Sequence, residues 1–207
     1  MRLAFDADDG FGRCSLRAVA ASEDRFPRVD RLLLDAAPDV VDFDRLAVAG
    51  ALLFGSPAQD KLEFEFAVSV DVREMIADEF RVSVEGLGEP MAFDASAIRA
   101  TELLVRQGVS VARTTPRVDK SELVLVPSER FYGSLRGVKE LVLGSNAWFL
   151  SHYIPSSTVN ASVGLMYSRD LLAQTVNIGT GSESKSRAQV ERLLVGVGLD
   201  VKTEETE

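Results

Sequence analysis

The sequence predicts an α+β fold: a single mixed domain in which a largely antiparallel sheet carries helices packed on it. The first indication is the alternation of apolar and polar side chains over residues 62–70, which is typical of a strand with one buried and one wet face. Such a strand belongs in an antiparallel or edge position, because central parallel strands are apolar on both sides. The second is an amphipathic helical pattern in residues 71–80, with apolar residues at Val72, Met75, Ile76 and Phe80.

The amino-acid composition is that of an ordinary globular protein. The chain has 207 residues, of which 46% are hydrophobic and 27% are charged, as in ordinary globular proteins. We predict one globular domain over residues 1–201 and a disordered acidic tail over residues 202–207. The net charge of −9 argues against nucleic acid as a partner, since phosphate contacts need clustered Lys and Arg.

The sequence also predicts a cytoplasmic location. Cys14 is the single cysteine, so no internal disulfide can form. The first residues lack the pattern of a secretory signal. The longest apolar stretches are much shorter than the ~20 residues that a membrane span requires, so we expect no membrane partner.

Further elements follow from periodicity and from helix-stop and turn residues. We expect two helices within residues 26–54, the second capped by Asp42 or Asp44 and ended at Gly55. Another helix is expected at 97–107 after a capping Ser96. Residues 159–167 favour a strand over a helix. The remaining predicted strands are residues 2–6, 13–20, 81–85, 121–126, 138–143 and 175–178. No internal repeat is visible.

A short apolar run, a loop rich in glycine and serine, and an amphipathic helix follow one another over residues 175–194. The loop resembles the phosphate-binding motif G-x-x-x-x-G-K-[ST], in which Gly179, Lys185 and Ser186 fit and Gly181 adds a further glycine. Ser184 stands where the motif has its second glycine. Only 21 residues follow Ser186, whereas phosphate-loop domains continue into further strands. The alternative is a solvated loop with a serine capping the helix.

An acidic turn, D-A-D-D-G, follows the first predicted strand. Asp9-Gly10 favours a hairpin turn. Asp6 and Asp8 also form a D-x-D pair that resembles haloacid-dehalogenase-like phosphotransferases. That resemblance implies that Asp6 is a nucleophile and that Asp8 is an acid and base beside magnesium. It also makes residues 141–146 the second strand of that family. Gly10 replaces the usual threonine, and no late acidic pair completes a metal site, so we predict no bound metal.

His152 is the single histidine and lies close to the single tryptophan, Trp148. A histidine can act as a general base near neutral pH, and Ser151 is adjacent to it. Neighbouring residues rarely face each other, however, and no G-x-S-x-G motif surrounds a serine. The favoured interpretation is a histidine half-buried against aromatic side chains.

Residues 41–70 are similar to the N-terminal region of defence-associated proteins related to 7-cyano-7-deazaguanine synthase, without that family's S-G-G-x-D-S loop. The resemblance carries no site residue to this chain. The preferred function is a non-catalytic interaction or assembly subunit, with a protein partner or with self-association. It rests on the lack of clustered catalytic residues, on the strand at 62–70, which could pair with a partner's edge, and on the aromatic residues Phe131, Tyr132 and Trp148. The alternatives are an enzyme or binder of a phosphorylated small molecule or nucleotide, or a catalytically silent relative of one. The sequence identifies no cofactor.

Overall fold

The computed structural model describes residues 1–90, 101–108, 120–177 and 184–202. The helices in these residues are α1 (Phe43–Phe54), α2 (Val70–Phe80), α3 (Ala147–Leu150), α4 (Ser156–Tyr167) and α5 (Ser184–Gly196). All the strands within the described ranges join one 11-stranded sheet, and this confirms the predicted α+β class. The strands are β1 (Arg2–Asp6), β2 (Cys14–Val19), β3 (Arg31–Leu34), β4 (Lys61–Phe64), β5 (Ser83–Glu85), β6 (Thr101–Gln107), β7 (Lys120–Pro127), β8 (Ser134–Arg136), β9 (Glu140–Ser145), β10 (Ala173–Asn177) and β11 (Asp200–Lys202).

The strand order across the sheet is β11-β10-β6-β7-β9-β3-β2-β1-β4-β5, and β8 pairs with β9 beside this path. Pairing is antiparallel from β1 through β2 and β3 to β9, and between β8 and β9. The other described ladders are parallel. The antiparallel character predicted from the sequence therefore describes the start of the chain, and parallel strands extend the sheet on both sides.

The sheet contains one arrangement twice, on either side of the contact between β3 and β9. In the first half the order is β3-β2-β1-β4-β5, with α1 between β3 and β4 and α2 between β4 and β5. In the second half the order is β9-β7-β6-β10-β11, with α4 between β9 and β10 and α5 between β10 and β11. The halves differ because β2 is antiparallel to β1 whereas β7 is parallel to β6.

The helices pack against one another on one face of the sheet, and α1 and α4 form the central pair. α1 begins where the Asp42 side chain accepts a hydrogen bond from the backbone N–H of Arg45, as the sequence predicts. Ser69 caps α2 in the same way through the backbone N–H of Val72. Among the described residues, no helix has both the length and the apolar composition that crossing a bilayer requires.

Two predicted helices contain strands instead. The first of the two helices expected within residues 26–54 is replaced by β3, a run of only four residues with Leu32 and Leu34 buried. The helix expected at 97–107 is β6 from residue 101 onward, and the capping Ser96 lies outside the described residues. In β6 the buried Leu103 and Val105 face the helices, whereas Arg106 pairs with Glu122 of β7. The charged side chains on the other face of β6 are accommodated in the sheet by ion pairs with a neighbouring strand. The sequence therefore did not show the simple apolar and polar alternation that predicts a strand.

The strand favoured at 159–167 is the helix α4. Every residue from Ser157 to Tyr167 is buried except the half-buried Asn160, so the helix has no polar face to mark a period of 3.6 residues. Ser162 Oγ donates to the carbonyl of Thr158 within the helix at 2.9 Å, and Asn160 Nδ2 donates to the Val105 carbonyl of β6 at 3.3 Å. A helix buried on all sides is difficult to distinguish from a strand by pattern alone.

The alternating strand expected over residues 62–70 is shorter than predicted, because β4 ends at Phe64. Phe66 and Val68 are buried beyond its end as expected, but Val70 is exposed and begins α2. β4 also lies between β1 and β5. It therefore has no free edge for a partner strand, which corrects one of the three arguments for an interaction role.

Candidate functional site

The acidic turn joins β1 to β2 as a hairpin, and its carboxylates shape the turn. Asp8 Oδ1 accepts the backbone N–H groups of Gly10 at 2.8 Å and Gly12 at 3.0 Å. Asp6 Oδ2 accepts the Ser15 hydroxyl at 3.4 Å. Among the described residues, no group of three or more His, Cys, Asp or Glu side chains is arranged to hold a metal ion.

The segments that resemble the haloacid-dehalogenase-like family are not brought together. Residues 141–146 do cover most of a strand, β9, but β3 and β2 separate β9 from β1. The antiparallel steps from β1 to β2, to β3 and to β9 reverse the strand direction three times. β1 and β9 therefore run in opposite directions. Their carboxyl ends, which carry Asp6 and Ser145, lie at opposite ends of the strands.

Cys14 lies at the start of β2 and is fully buried. Burial raises the pKa of its thiol to about 12, despite a hydrogen bond with Tyr167 that lowers it. The Sγ atom lies 3.3 Å from the Ala36 carbonyl, which also accepts the Tyr167 hydroxyl. Since the thiolate is the reactive form of cysteine, this thiol is a core group.

The strand and the helix predicted on either side of residues 179–186 are both present as β10 and α5, and α5 already begins at Ser184. Gly179 and Gly181 lie outside the described residues, and Lys185 and Ser186 contribute to the first turn of α5 by their backbone. β10 is parallel to both β6 and β11. The loop therefore leaves the carboxyl end of a parallel strand, where ligands bind in many α/β proteins.

His152 is exposed at the end of α3, rather than half-buried. Its Nδ1 atom lies 2.9 Å from the carbonyl oxygen of Trp148. Ser151 does not pair with it, because the Ser151 hydroxyl donates to the Ala147 carbonyl at 3.0 Å and accepts Gln107 Nε2 at 2.7 Å. The geometry separates the two residues and places His152 among aromatic rings.

Those rings form one exposed cluster, which we call the aromatic surface: Trp148, Phe149, His152 and Tyr153. The Trp148 and His152 ring centroids are 4.4 Å apart, and those of Phe149 and Tyr153 are 5.6 Å apart, both in edge-to-face contact. The members of each pair are four residues apart, so the helical turn of α3 places them on the same side. Trp148, Phe149 and Tyr153 are 55%, 51% and 52% exposed. The buried Ala147 and Leu150 anchor the turn to the core.

A groove begins at Tyr153 and extends the aromatic surface. It has a volume of about 460 Å³ and lies between residues 25–29, the end of α1 and the start of α4. Leu52 and Leu53 of α1, together with Ile154 and Pro155, supply apolar lining. Phe26 also lines it and is 83% exposed, an unusual position for a phenylalanine side chain.

The groove carries positive charge in an acidic protein. Arg25 and Arg28 line it, and within the described residues neither makes an ion pair. Among the described residues that line it, none is Asp or Glu. Some exposed arginines elsewhere are paired, as Arg136 is with Asp39 at 2.7 Å, whereas Arg130 is exposed and has no ion pair within the described residues. Because the chain carries a net charge of −9, an acidic side chain near the groove would be expected by chance.

No protein-family model, no curated protein and no solved structure matches the chain. The candidate site is therefore defined by the geometry of its residues. The sequence pointed to Trp148 but gave no sign of Phe26, Arg25, Arg28 or Tyr153. Of the other aromatic residues it singled out, Phe131 packs against Val124, Val126 and Val142 in a second small core.

Proposed function

We propose that this protein is a non-catalytic interaction subunit that binds a protein partner through the aromatic surface and the groove beside it. The observation that carries the proposal is the clustering of Trp148, Phe149 and Tyr153, each about half exposed, beside a groove that continues their surface. A cytoplasmic location accompanies the proposal, on the composition and the single buried cysteine.

The composition of this surface supports binding to a protein. Interface cores are enriched in Trp, Tyr, Phe and Arg relative to the rest of a protein surface. Each aromatic side chain can bury about 150–250 Å², so a few of them dominate the energetics of a contact. Contacts between the rings also hold them in defined orientations before binding, which reduces the entropy lost on association.

The candidate catalytic residues give less support to an enzyme. Asp6 and Asp8 accept hydrogen bonds within their own hairpin. His152 belongs to the aromatic surface, and its Nδ1 atom faces the Trp148 carbonyl. The hydroxyl that Asp6 accepts is that of Ser15 in the same hairpin, and Asp8 accepts backbone N–H groups of Gly10 and Gly12.

Co-purification of the tagged chain from its source cells tests the proposal. The wild-type chain should retain one partner in near-stoichiometric amount. The double variant Phe149→Ala/Tyr153→Ala should weaken that association by at least about tenfold, because truncated aromatic anchors at interfaces commonly cost more than about 1 kcal/mol each. The matched control is Val138→Ala, which removes a fully exposed apolar side chain at the other end of β9. Equal recovery from both variants would refute the proposal.

The second candidate function is binding of a phosphorylated small molecule or nucleotide by the loop at 179–186. The strand and helix on either side of the loop favour it. Ser184 in place of the second glycine opposes it, because that glycine allows close backbone approach to phosphate. We expect millimolar Mg-ATP or Mg-GTP to leave the melting temperature unchanged. A rise of several degrees that disappears in Lys185→Ala would favour this function over the first.

A further inference from the structure

We infer that the groove binds an acidic segment of the partner, in which a large apolar side chain is flanked by Asp or Glu. The inference rests on the proposed function and specifies the partner's chemistry at the groove. It is based on two features that occur together in the groove: an apolar floor, and two arginines that have no ion pair within the described residues.

The apolar part of the groove favours binding of an apolar side chain over a polar one. Leu52 and Leu53 are almost completely buried, so what they present to the groove is a floor continuous with the core. Phe26 and Tyr153 stand at its sides with about half or more of their surface in water. An inserted aromatic or aliphatic side chain would contact the leucine floor and remove Phe26 and Tyr153 from solvent, which is the source of hydrophobic stabilisation.

The two arginines of the groove determine which residues can flank that side chain in the partner. Arg25 and Arg28 lie on either side of Phe26 and Pro27 in the chain, and both line the groove. A guanidinium group presents a planar fork of donors that matches a carboxylate. Since no Asp or Glu lines the groove, the donors of both arginines are available to carboxylates of a partner.

Other anionic partners fit less well. Nucleic acids and anionic membranes require many clustered basic residues, because their charge is spread over a long surface. Here two arginines stand in a chain whose net charge is −9, which would repel such a polyanion outside the groove. A short acidic segment of a protein meets the two arginines without bringing further negative charge close to the rest of the molecule.

Peptide selection tests the inference with defined probes. A displayed library of random 12-residue peptides is selected on the full immobilised chain, and enriched peptides are measured by fluorescence polarisation. We expect enrichment of Asp or Glu beside Phe, Trp, Leu or Ile. Arg25→Glu/Arg28→Glu should weaken binding by at least about tenfold, and higher salt should weaken wild-type binding as well.

Arg130→Glu is the control for charge reversal, because Arg130 is exposed and lies outside the groove lining. It should leave the affinity within about twofold. A library selected on the double variant should instead enrich Lys or Arg. The inference is overturned if no peptide is enriched, if enriched peptides lack acidic residues, or if the double variant binds them as tightly as the wild type.

The outcomes separate this inference from the proposed function. A partner that is lost in Phe149→Ala/Tyr153→Ala but retained in Arg25→Glu/Arg28→Glu supports the interaction role and overturns the acidic segment. A second copy of this chain as the only partner also overturns it unless the contact is lost in the arginine variant. Acidic peptides that bind the groove in a chain without a cellular partner would support the groove chemistry and refute the proposed function.

Discussion

At the scale of single residues, Glu102 shows how the face of the sheet away from the helices is held. Its carboxylate accepts Lys120 Nζ at 2.9 Å, Lys202 Nζ at 2.9 Å and Asn177 Nδ2 at 3.1 Å. These partners belong to β7, β11 and β10, so one side chain of β6 joins four strands. Burial alone would raise the pKa of Glu102, but the hydrogen bonds from Lys202, Lys120 and Asn177 outweigh it and lower the pKa to about 2.

This lowered pKa predicts a pH dependence. A carboxyl group whose pKa is lower in the folded state stabilises the fold above its ordinary pKa of 4.5, and the contribution is lost as the pH falls toward about 2. Glu102→Gln should reduce the free energy of unfolding at pH 7 by about 1–3 kcal/mol, because it removes charged hydrogen bonds. The difference between variant and wild type should shrink between pH 5 and pH 3.

Urea unfolding at several pH values measures this difference. Glu129→Gln is the matched control, since Glu129 is exposed in the turn after β7, and it should change stability by less than about 0.5 kcal/mol. A difference for Glu102→Gln that stays constant over the whole pH range would show that the ionised carboxylate does not contribute as described.

At the scale of elements, each central helix approaches the sheet through a glycine. A Cβ atom on Gly164 of α4 would lie 2.9 Å from Val176 Cγ1 and 3.1 Å from Val105 Cγ2. A Cβ atom on Gly50 of α1 would lie 3.2 Å from Leu3 Cδ1. The two glycines occupy corresponding helices of the two halves. They differ in what the added carbon would meet: two stiff valine side chains in one case and the end of a leucine in the other.

The two glycine positions should therefore respond differently to alanine. Gly164→Ala should lower the free energy of unfolding by about 1–3 kcal/mol, as overpacking of a core does. Gly50→Ala should stay within about 1 kcal/mol of wild type, because the leucine methyl can move and alanine gains about 1 kcal/mol of helix propensity. Thermal and urea unfolding of the two variants measure this, and a larger loss for Gly50→Ala would contradict the packing described here.

The segment after β4 gives a second comparison between neighbouring residues. Phe66 is buried and its ring lies 5.7 Å from that of Phe43 and 5.4 Å from that of Phe64. Glu65 is exposed and pairs with Arg2 at 3.3 Å. Phe66→Ala should cost about 3–5 kcal/mol of stability, and Glu65→Ala under about 0.5 kcal/mol. Similar losses for the two variants in urea unfolding would show that the buried face has been misassigned.

Elements with a cap and a two-faced pattern were predictable from the sequence, and others were not. α2 has both signals, Ser69 at its start and the buried Val72 and Ile76 on one side, whereas α1 has the Asp42 cap but is buried from Arg45 to Phe54. α4 has neither, since its Pro155 cap position makes no side-chain hydrogen bond and nearly all of the helix is buried. In β6, the charges of Glu102 and Arg106 are neutralised by Lys120 and Glu122 of β7. These partners are distant in sequence, so no local pattern reveals them.

At the scale of the whole molecule, topology and surface both depend on contacts between distant residues. The two halves of the sheet repeat one strand order without a visible sequence repeat. The candidate site combines residues 25–29, the end of α1 and residues 148–155, which the fold brings together. The sequence could indicate Trp148 as an unusual residue, but an exposed phenylalanine such as Phe26 looks like a core residue until the fold is known.

Site-specific photocrosslinking tests the proposal that the aromatic surface contacts a protein partner. A benzophenone amino acid replaces Trp148 in one variant and Val138 in another, and both are irradiated in the source cells. Val138 is fully exposed and lies at the other end of β9, so it controls for random collision. We predict one discrete crosslinked protein from position 148 and none from position 138. No crosslink at position 148, or the same products at both positions, would contradict the claim.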